Sequence, residues 1–177
     1  MVEYVVEPKS RKQLRQLAEI LREYLGLNDE VYFPIVELLD VMCEIFPRFS
    51  YEIVPDSTFP PSVHADTDVM HHIVRIKESV YDGAADGNGR DKMTIAHEIG
   101  HYFTLCFCGF KFQRNFKNEE IPAYKSPEWQ AKCFAGELLV DARLTANMSP
   151  DEIMVKCGVS YEAACYQYGT MHTRRSA

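Results

Sequence analysis

The segment TIAHEIGHYFTL, residues 94 to 105, sets two histidines four residues apart around a glutamate inside an otherwise apolar stretch. Helical residues turn by about 100° and rise about 1.5 Å each, so His97 and His101 stand about 40° apart and about 6 Å apart along the axis. Both imidazoles can therefore meet one tetrahedral ion. Glu98 lies about 60° from His101 around the same axis, beside such an ion rather than upon it, where a general base belongs. A zinc ion held by three protein groups keeps a fourth position for water and lowers that water's pKa to about 7. A neighbouring carboxylate then takes the proton as the water attacks a carbonyl. The bland alternative is a pair of helix histidines satisfied by other partners. Ile95, Ala96, Ile99, Phe103 and Cys106 make the helix apolar nearly all round, and polar groups buried in such a helix need partners of their own.

A catalytic zinc needs a third ligand from elsewhere in the chain. In SPEWQAKCFAGELLVDARLTA, Glu128 opens an apolar stripe that continues through Ala131, Ala135, Leu138 and Ala142. Ala131, Ala135 and Gly136 are small enough for two helices to come close, bringing a carboxylate oxygen within about 2 Å of zinc. Glu137, about 180° around from Glu128, is expected to face water. Glu119 and Glu120, just before Pro122, are the competing candidates and read more naturally as solvated loop charges.

HEIGH in an apolar helix, followed by EWQAKCFAGELL on a second helix, resembles the ImmA/IrrE family of cytosolic zinc metallo-endopeptidases. The resemblance spans roughly residues 30 to 170 in organisation, and its specific part is the two motifs. It implies His97, His101 and Glu128 as zinc ligands, Glu98 as acid and base, and cleavage of a helix-turn-helix repressor partner. Two departures are visible: Lys132 stands where the family often has Asn or Asp, and LLVDA replaces a common Leu-Leu-Met-Pro. Without the appended sensor domain of some relatives, an input signal is expected to arrive through a partner. A second reading, from another class, is a metal-containing module of a toxin and antitoxin pair that binds a partner with little turnover. Asp141 or a backbone oxygen could orient a ligand histidine. Tyr102, Tyr124, His64, His71 and His72 are candidates to stabilise an oxyanion.

The elements that must hold these groups follow from periodicity and punctuation. Residues 9 to 26 carry a helical apolar period closed by Gly26, and FPIVELLDVMCEIFP reads as a second helix between Pro34 and Pro47. RFSYEIV and HHIVRI read as strands over 48 to 54 and 71 to 77, with a further short strand near His64 and Ala65. YDGAADGNGRD reads as a glycine-rich turn lacking a phosphate-loop lysine, before a motif helix from about Asp91 to Cys106. Ser126 and Pro127 start a long helix. Residues 107 to 125 form an aromatic and basic loop suited to a lid or substrate wall. SPDEIMVKCG and VSYEAACYQY outline a helix-turn-helix, yet where a recognition helix shows Arg, Lys, Asn or Gln the second helix offers Glu162, Tyr166, Gln167 and Tyr168, and the pair is expected to pack on the core.

The order of elements gives an α+β fold: a small, mostly antiparallel sheet against a zincin-like helical core with two metal-bearing helices. One domain is expected over 1 to 177, with an N-terminal helix (1–30), a zincin core (31–146) and a C-terminal helical pair (147–177). Nineteen Lys and Arg against 26 Asp and Glu leave a net charge of −7, which disfavours direct nucleic-acid or anionic-membrane partners. No signal-peptide pattern opens the chain and no long apolar run interrupts it, so a cytoplasmic protein is expected. The six cysteines lack paired C-x-x-C knuckles and read as reduced and mostly buried.

Overall fold

The computed structural model describes residues 4–107, 113–114 and 122–173. Among these, the order is β1 (Tyr4–Val5), α1 (Arg11–Tyr24), α2 (Ile35–Ile45), β2 (Ser50–Val54), β3 (Ala65–Asp68), β4 (Ile73–Lys77), α3 (Glu78–Ala85) and α4 (Gly89–Tyr102). A π-helical turn (Phe103–Phe107) then leads to β5 (Gln113–Arg114), α5 (Pro127–Leu139), α6 (Ala142–Thr145), α7 (Pro150–Cys157) and α8 (Tyr161–His172). The described residues thus form an α+β fold with eight helices, a small three-stranded sheet and a two-stranded β1–β5 pair. None of the described helices is long and apolar enough to cross a membrane.

The sheet is mixed rather than mostly antiparallel. Its order is β2-β4-β3, with β2 parallel to β4 and β3 antiparallel to β4. Ala65 belongs to a four-residue strand that forms a hairpin with β4, and β2 is left to pair on the far side of β4 in the same direction. The turn between β3 and β4 is tied by Asp68 Oδ1, which accepts from the backbone N–H groups of Met70 and His71 at 3.1 Å each. His72 completes it at φ 60°, the left-handed region that a non-glycine residue adopts at some cost. Its Nδ1 lies 3.2 Å from the Tyr102 hydroxyl, an anchor from α4.

The helices start where their caps allow. Ser10 and Gln13 form a reciprocal capping box at α1, and its buried Leu14, Ala18 and Leu21 follow the helical period. The segment expected to be a turn at 81–91 is helical at its start: Tyr81 to Ala85 complete α3. The reversal is confined to the residues before Asn88, which caps α4 by accepting from Arg90 N at 2.9 Å. The glycines that suggested a turn are split between these roles. At α5, Ser126 caps the Trp129 N–H and Pro127 opens the helix, as the Ser-Pro pair implied.

The helix begun at Pro127 does not run on to Ala146. It stops at Leu139, Val140 adopts φ −125° and ψ 87°, and Asp141 caps the short α6 by accepting from Arg143 N at 2.8 Å. Asp141 also pairs with the Arg143 guanidinium at 2.6 Å and faces Arg22 at 4.0 Å. Arg22 is fully buried, donating to Leu138 O and Glu30 O. Asp141 therefore serves a buried cation and a helix start, and does not orient a ligand histidine.

Glu137 is a second correction, since it is 3% exposed rather than turned to water. The α1 helix covers that side of α5, and Glu137 accepts from Arg11 Nη1 at 2.8 Å and Arg15 Nε at 2.7 Å. A helical wheel shows where one apolar stripe lies; it does not show a second helix arriving on the opposite side with cations that make burial of a carboxylate tolerable.

Burial pushes the Asp141 carboxyl up, but the hydrogen bonds from Arg143 and the charges of Arg143 and Arg22 outweigh it and hold the group below its ordinary value. A carboxyl depressed in the folded state stabilises fully above its unfolded pKa of about 3.9, and that contribution is lost as pH falls through the folded value. Asp141→Ala removes a cap and strands a buried guanidinium, so a loss of roughly 3 kcal/mol is expected in urea denaturation at pH 7. The gap between parent and variant should narrow below about pH 4. A gap unchanged down to pH 2 would contradict this role.

Candidate metal centre

In the core, α4 and α5 pack closely against each other. Gly100 faces Ala131 so tightly that a Cβ at Gly100 would meet the Ala131 carbonyl oxygen at 2.7 Å and its Cα at 3.0 Å. The small residues Ala131 and Ala135 are buried on the α5 side, as the stripe implied. Gly100, inside the motif itself, supplies the matching gap on α4. Backbone cannot yield as a flexible side chain can.

Across this joint the three expected ligands converge. His97 Nε2 lies 3.2 Å from Glu128 Oε2, His101 Nε2 lies 3.2 Å from Glu128 Oε1, and the two Nε2 atoms are 3.1 Å apart. Tetrahedral ligands at zinc bond lengths of about 2.0–2.1 Å would be separated by about 3.3 Å. The imidazole planes cross at 87°. Each Nε2–H can donate to its own Glu128 oxygen, but the two nitrogens then meet at 3.1 Å with N–H groups on both sides. A divalent cation at the centre satisfies all three donors at once. The group can hold a metal ion.

Electrostatics at the site run the same way. The hydrogen bonds of His101 and His97 keep the Glu128 carboxyl well below the ordinary carboxylate range, so it is anionic. Its side chain is 72% exposed, against 24% for His97 and 12% for His101. The carboxylate thus closes the site from the solvent side, and the imidazoles form its inner wall. Glu128 also lies in the first turn of α5, where the helix dipole favours an anion.

Glu98 is not among the three convergent donors. It is 8% exposed, and its Oε2 accepts from Thr67 Oγ1 at 2.7 Å. The same hydroxyl lies 3.0 Å from the Glu98 carbonyl oxygen, so β3 grips both ends of this residue. Thr67 was not singled out from sequence. Its signal is the alternation of ADTD: Ala65 is buried, and Thr67, two residues on, points to the same side.

A cleft of about 490 Å³ opens here, lined by Ser62 to Thr67 on one side and by His97, Glu98, His101 and Glu128 on the other. Of the oxyanion candidates, His64 lines this cleft. His72 and Tyr102 meet each other away from it, His71 pairs with Asp68 at 2.7 Å, and Tyr124 lies exposed in the short turn before α5. Glu119, Glu120 and most of the loop expected to form a lid lie outside the described residues, as does Cys108. Cys133 and Cys157 are buried, Cys106 and Cys165 are partly so, and Cys43 is exposed.

Gly100→Ala is the sharpest test of the joint. It should cost about 1–3 kcal/mol through overpacking and weaken zinc binding by about tenfold or more, because the donors sit on the two helices it forces apart. Calorimetric titration with zinc and thermal denaturation read the two effects; parental zinc affinity in this variant would contradict the geometry.

The fold and site together define an α+β protein with a candidate three-ligand metal centre. No family model matches the chain, and no curated protein matches it in sequence. Among solved structures, it is similar in fold to a Mycobacterium tuberculosis transcriptional regulator, with a TM-score of 0.61 and 15% identity. That likeness covers 93% of this chain and 48% of the other, so the chain spans about half the length of that protein.

Proposed function

We propose that this protein is a zinc-dependent endopeptidase with a zincin-like core, similar to the ImmA/IrrE family. The observation that carries the reading is the meeting of His97, His101 and Glu128 around one point, with the buried Glu98 carboxylate held beside it by Thr67. The donor set of two imidazoles and one carboxylate, on two helices, suits zinc with one position left for reaction. When bound, zinc supplies Lewis acidity, bringing a water's pKa to about 7 and polarising the scissile carbonyl. Glu98 Oε2 would take the proton of the attacking water as the new C–O bond forms, and would then deliver it to the amine nitrogen as the peptide C–N bond breaks. Thr67 keeps that oxygen aimed and limits its rotation.

Substrate binding falls to β3. It pairs with β4 on one side and contributes Ala65 to Thr67 to the cleft wall on the site's side. An extended peptide laid along this strand gains main-chain hydrogen bonds and passes its carbonyl over the site. A protein substrate that is itself a helix-turn-helix repressor or antitoxin is what the family resemblance implies.

The test is to incubate the purified protein with the product of any adjoining repressor gene, with zinc or with chelator, and to follow fragments by mass spectrometry. Zinc-dependent cleavage at a defined bond is expected. An intact repressor in stable complex with the zinc-loaded protein would overturn hydrolysis and favour a partner-binding module.

A further inference from the structure

A second, larger cavity adjoins the cleft. It has a volume of about 680 Å³, lies between α4, α5 and α8, and shares Thr94 and His97 with the cleft. On α4, Arg90, Thr94 and His97 are spaced four and three residues apart and so form one stripe; on α5, Glu128, Lys132 and Gly136 form another. The two ligand-bearing stripes thus run on past the metal centre as the sides of one groove. From His97 to Arg90 it extends about 10 Å along α4, the span of about three extended residues.

The chemistry of the groove is unlike that of the chain as a whole. Arg90 and Lys132 are both exposed on it, and among the described residues neither has an ion-pair partner. Glu162 is the acidic side chain on its far wall. Two cations against one anion stand out in a chain of net charge −7. Apolar surface comes from Met93 of α4 and from Ala163 and the Tyr166 ring of α8, beside the polar Ser160 and Gln167. Tyr166 is fixed by Arg11, which donates to its hydroxyl at 2.9 Å. Gly136 has no side chain to intrude, and the Gln167 amide occupies the space a Cβ there would need.

We infer that this groove is the subsite for an acidic stretch of the substrate: an Asp or Glu two or three residues from the scissile bond, received by Arg90 and Lys132, with an apolar neighbour against Met93 and Tyr166. The inference rests on the proposed peptidase reading for the direction from which the peptide enters. Lys132 then has a positive task. One helical turn beyond Glu128, it sits where a substrate leaving the centre first meets α5.

The test uses the full chain carrying Glu98→Gln, loaded with zinc, and fluorescein-labelled octapeptides of Ala, Leu and Ser that differ by Glu or Lys three residues from the central bond. Fluorescence anisotropy should show the Glu peptide binding about fivefold or more tightly than the Lys peptide, as expected for one peptide charge meeting two exposed cations. Arg90→Glu with Lys132→Glu should reverse the order; both positions are exposed, and circular dichroism checks that the fold is kept. Equal affinities, no binding up to millimolar peptide, an unchanged order in the double variant, or tighter binding of an octathymidylate would each overturn the assignment. If the parent leaves the peptides intact while the Glu preference holds, hydrolysis fails and the groove stands. If the parent cleaves both peptides equally well, the groove fails and hydrolysis stands.

Discussion

Glu98→Gln is expected to reduce hydrolysis by about 10³-fold while zinc binds with parental stoichiometry and affinity. The amide keeps the size of the carboxylate and an oxygen for the Thr67 hydroxyl, now 2.7 Å away, so the helix and the β3 contact survive. Lost is the basic oxygen that accepts the water's proton, and Glu98 is not one of the three donor groups that meet across α4 and α5. The prediction is therefore asymmetric: activity falls and metal stays. Fragment yield by mass spectrometry against zinc content by atomic absorption reads both. Parental cleavage by the variant would remove Glu98 from the reaction, and loss of zinc would make it a ligand instead.

Glu128→Ala should give the opposite pattern. Its carboxylate oxygens each lie 3.2 Å from a histidine nitrogen, and removing them leaves two imidazoles with no anion to complete the set. Zinc affinity should fall by more than the 10–100-fold typical of losing an outer partner, and hydrolysis should fall with it. The metal-free fold should change little, because the side chain is 72% exposed. Zinc at about 100 times its dissociation constant should stabilise the parent by about 2.7 kcal/mol, and the variant by far less at the same concentration. Equal zinc-induced shifts in thermal denaturation would show that the carboxylate is no ligand.

The site was more legible in the sequence than the scaffold around it. His97, Glu98 and His101 share one helix, so their relative placement depends only on helical geometry. Glu128 could be found because its stripe is apolar and begins at a Ser-Pro start, which fixes the helix phase. The structure puts it within hydrogen-bonding distance of both histidines. Thr67 was harder to see: it reaches Glu98 from another element, 31 residues earlier in the chain.

The scaffold depended on contacts that no local pattern encodes. The β3–β4 hairpin takes one edge of β4 and leaves β2 the other, where it pairs parallel, and neither strand's own residues encode that direction. Burial of Glu137 was decided by α1, more than 120 residues away in sequence, which brings Arg11 and Arg15. Asp141 looked free to serve a histidine because its claim by buried Arg22 is equally remote. Chemistry carried by one helix, or marked by a capped apolar stripe as at Glu128, was readable; the remote partners of Thr67, Glu137 and Asp141 were not.

The central claim is that one divalent cation is held jointly by the two histidines of α4 and the glutamate of α5. Anomalous diffraction at the zinc edge, from crystals grown with equimolar zinc, tests it most directly. A single strong peak about 2 Å from His97 Nε2, His101 Nε2 and a Glu128 carboxylate oxygen is expected. No peak among those atoms, or one there with Glu128 turned away, would contradict it.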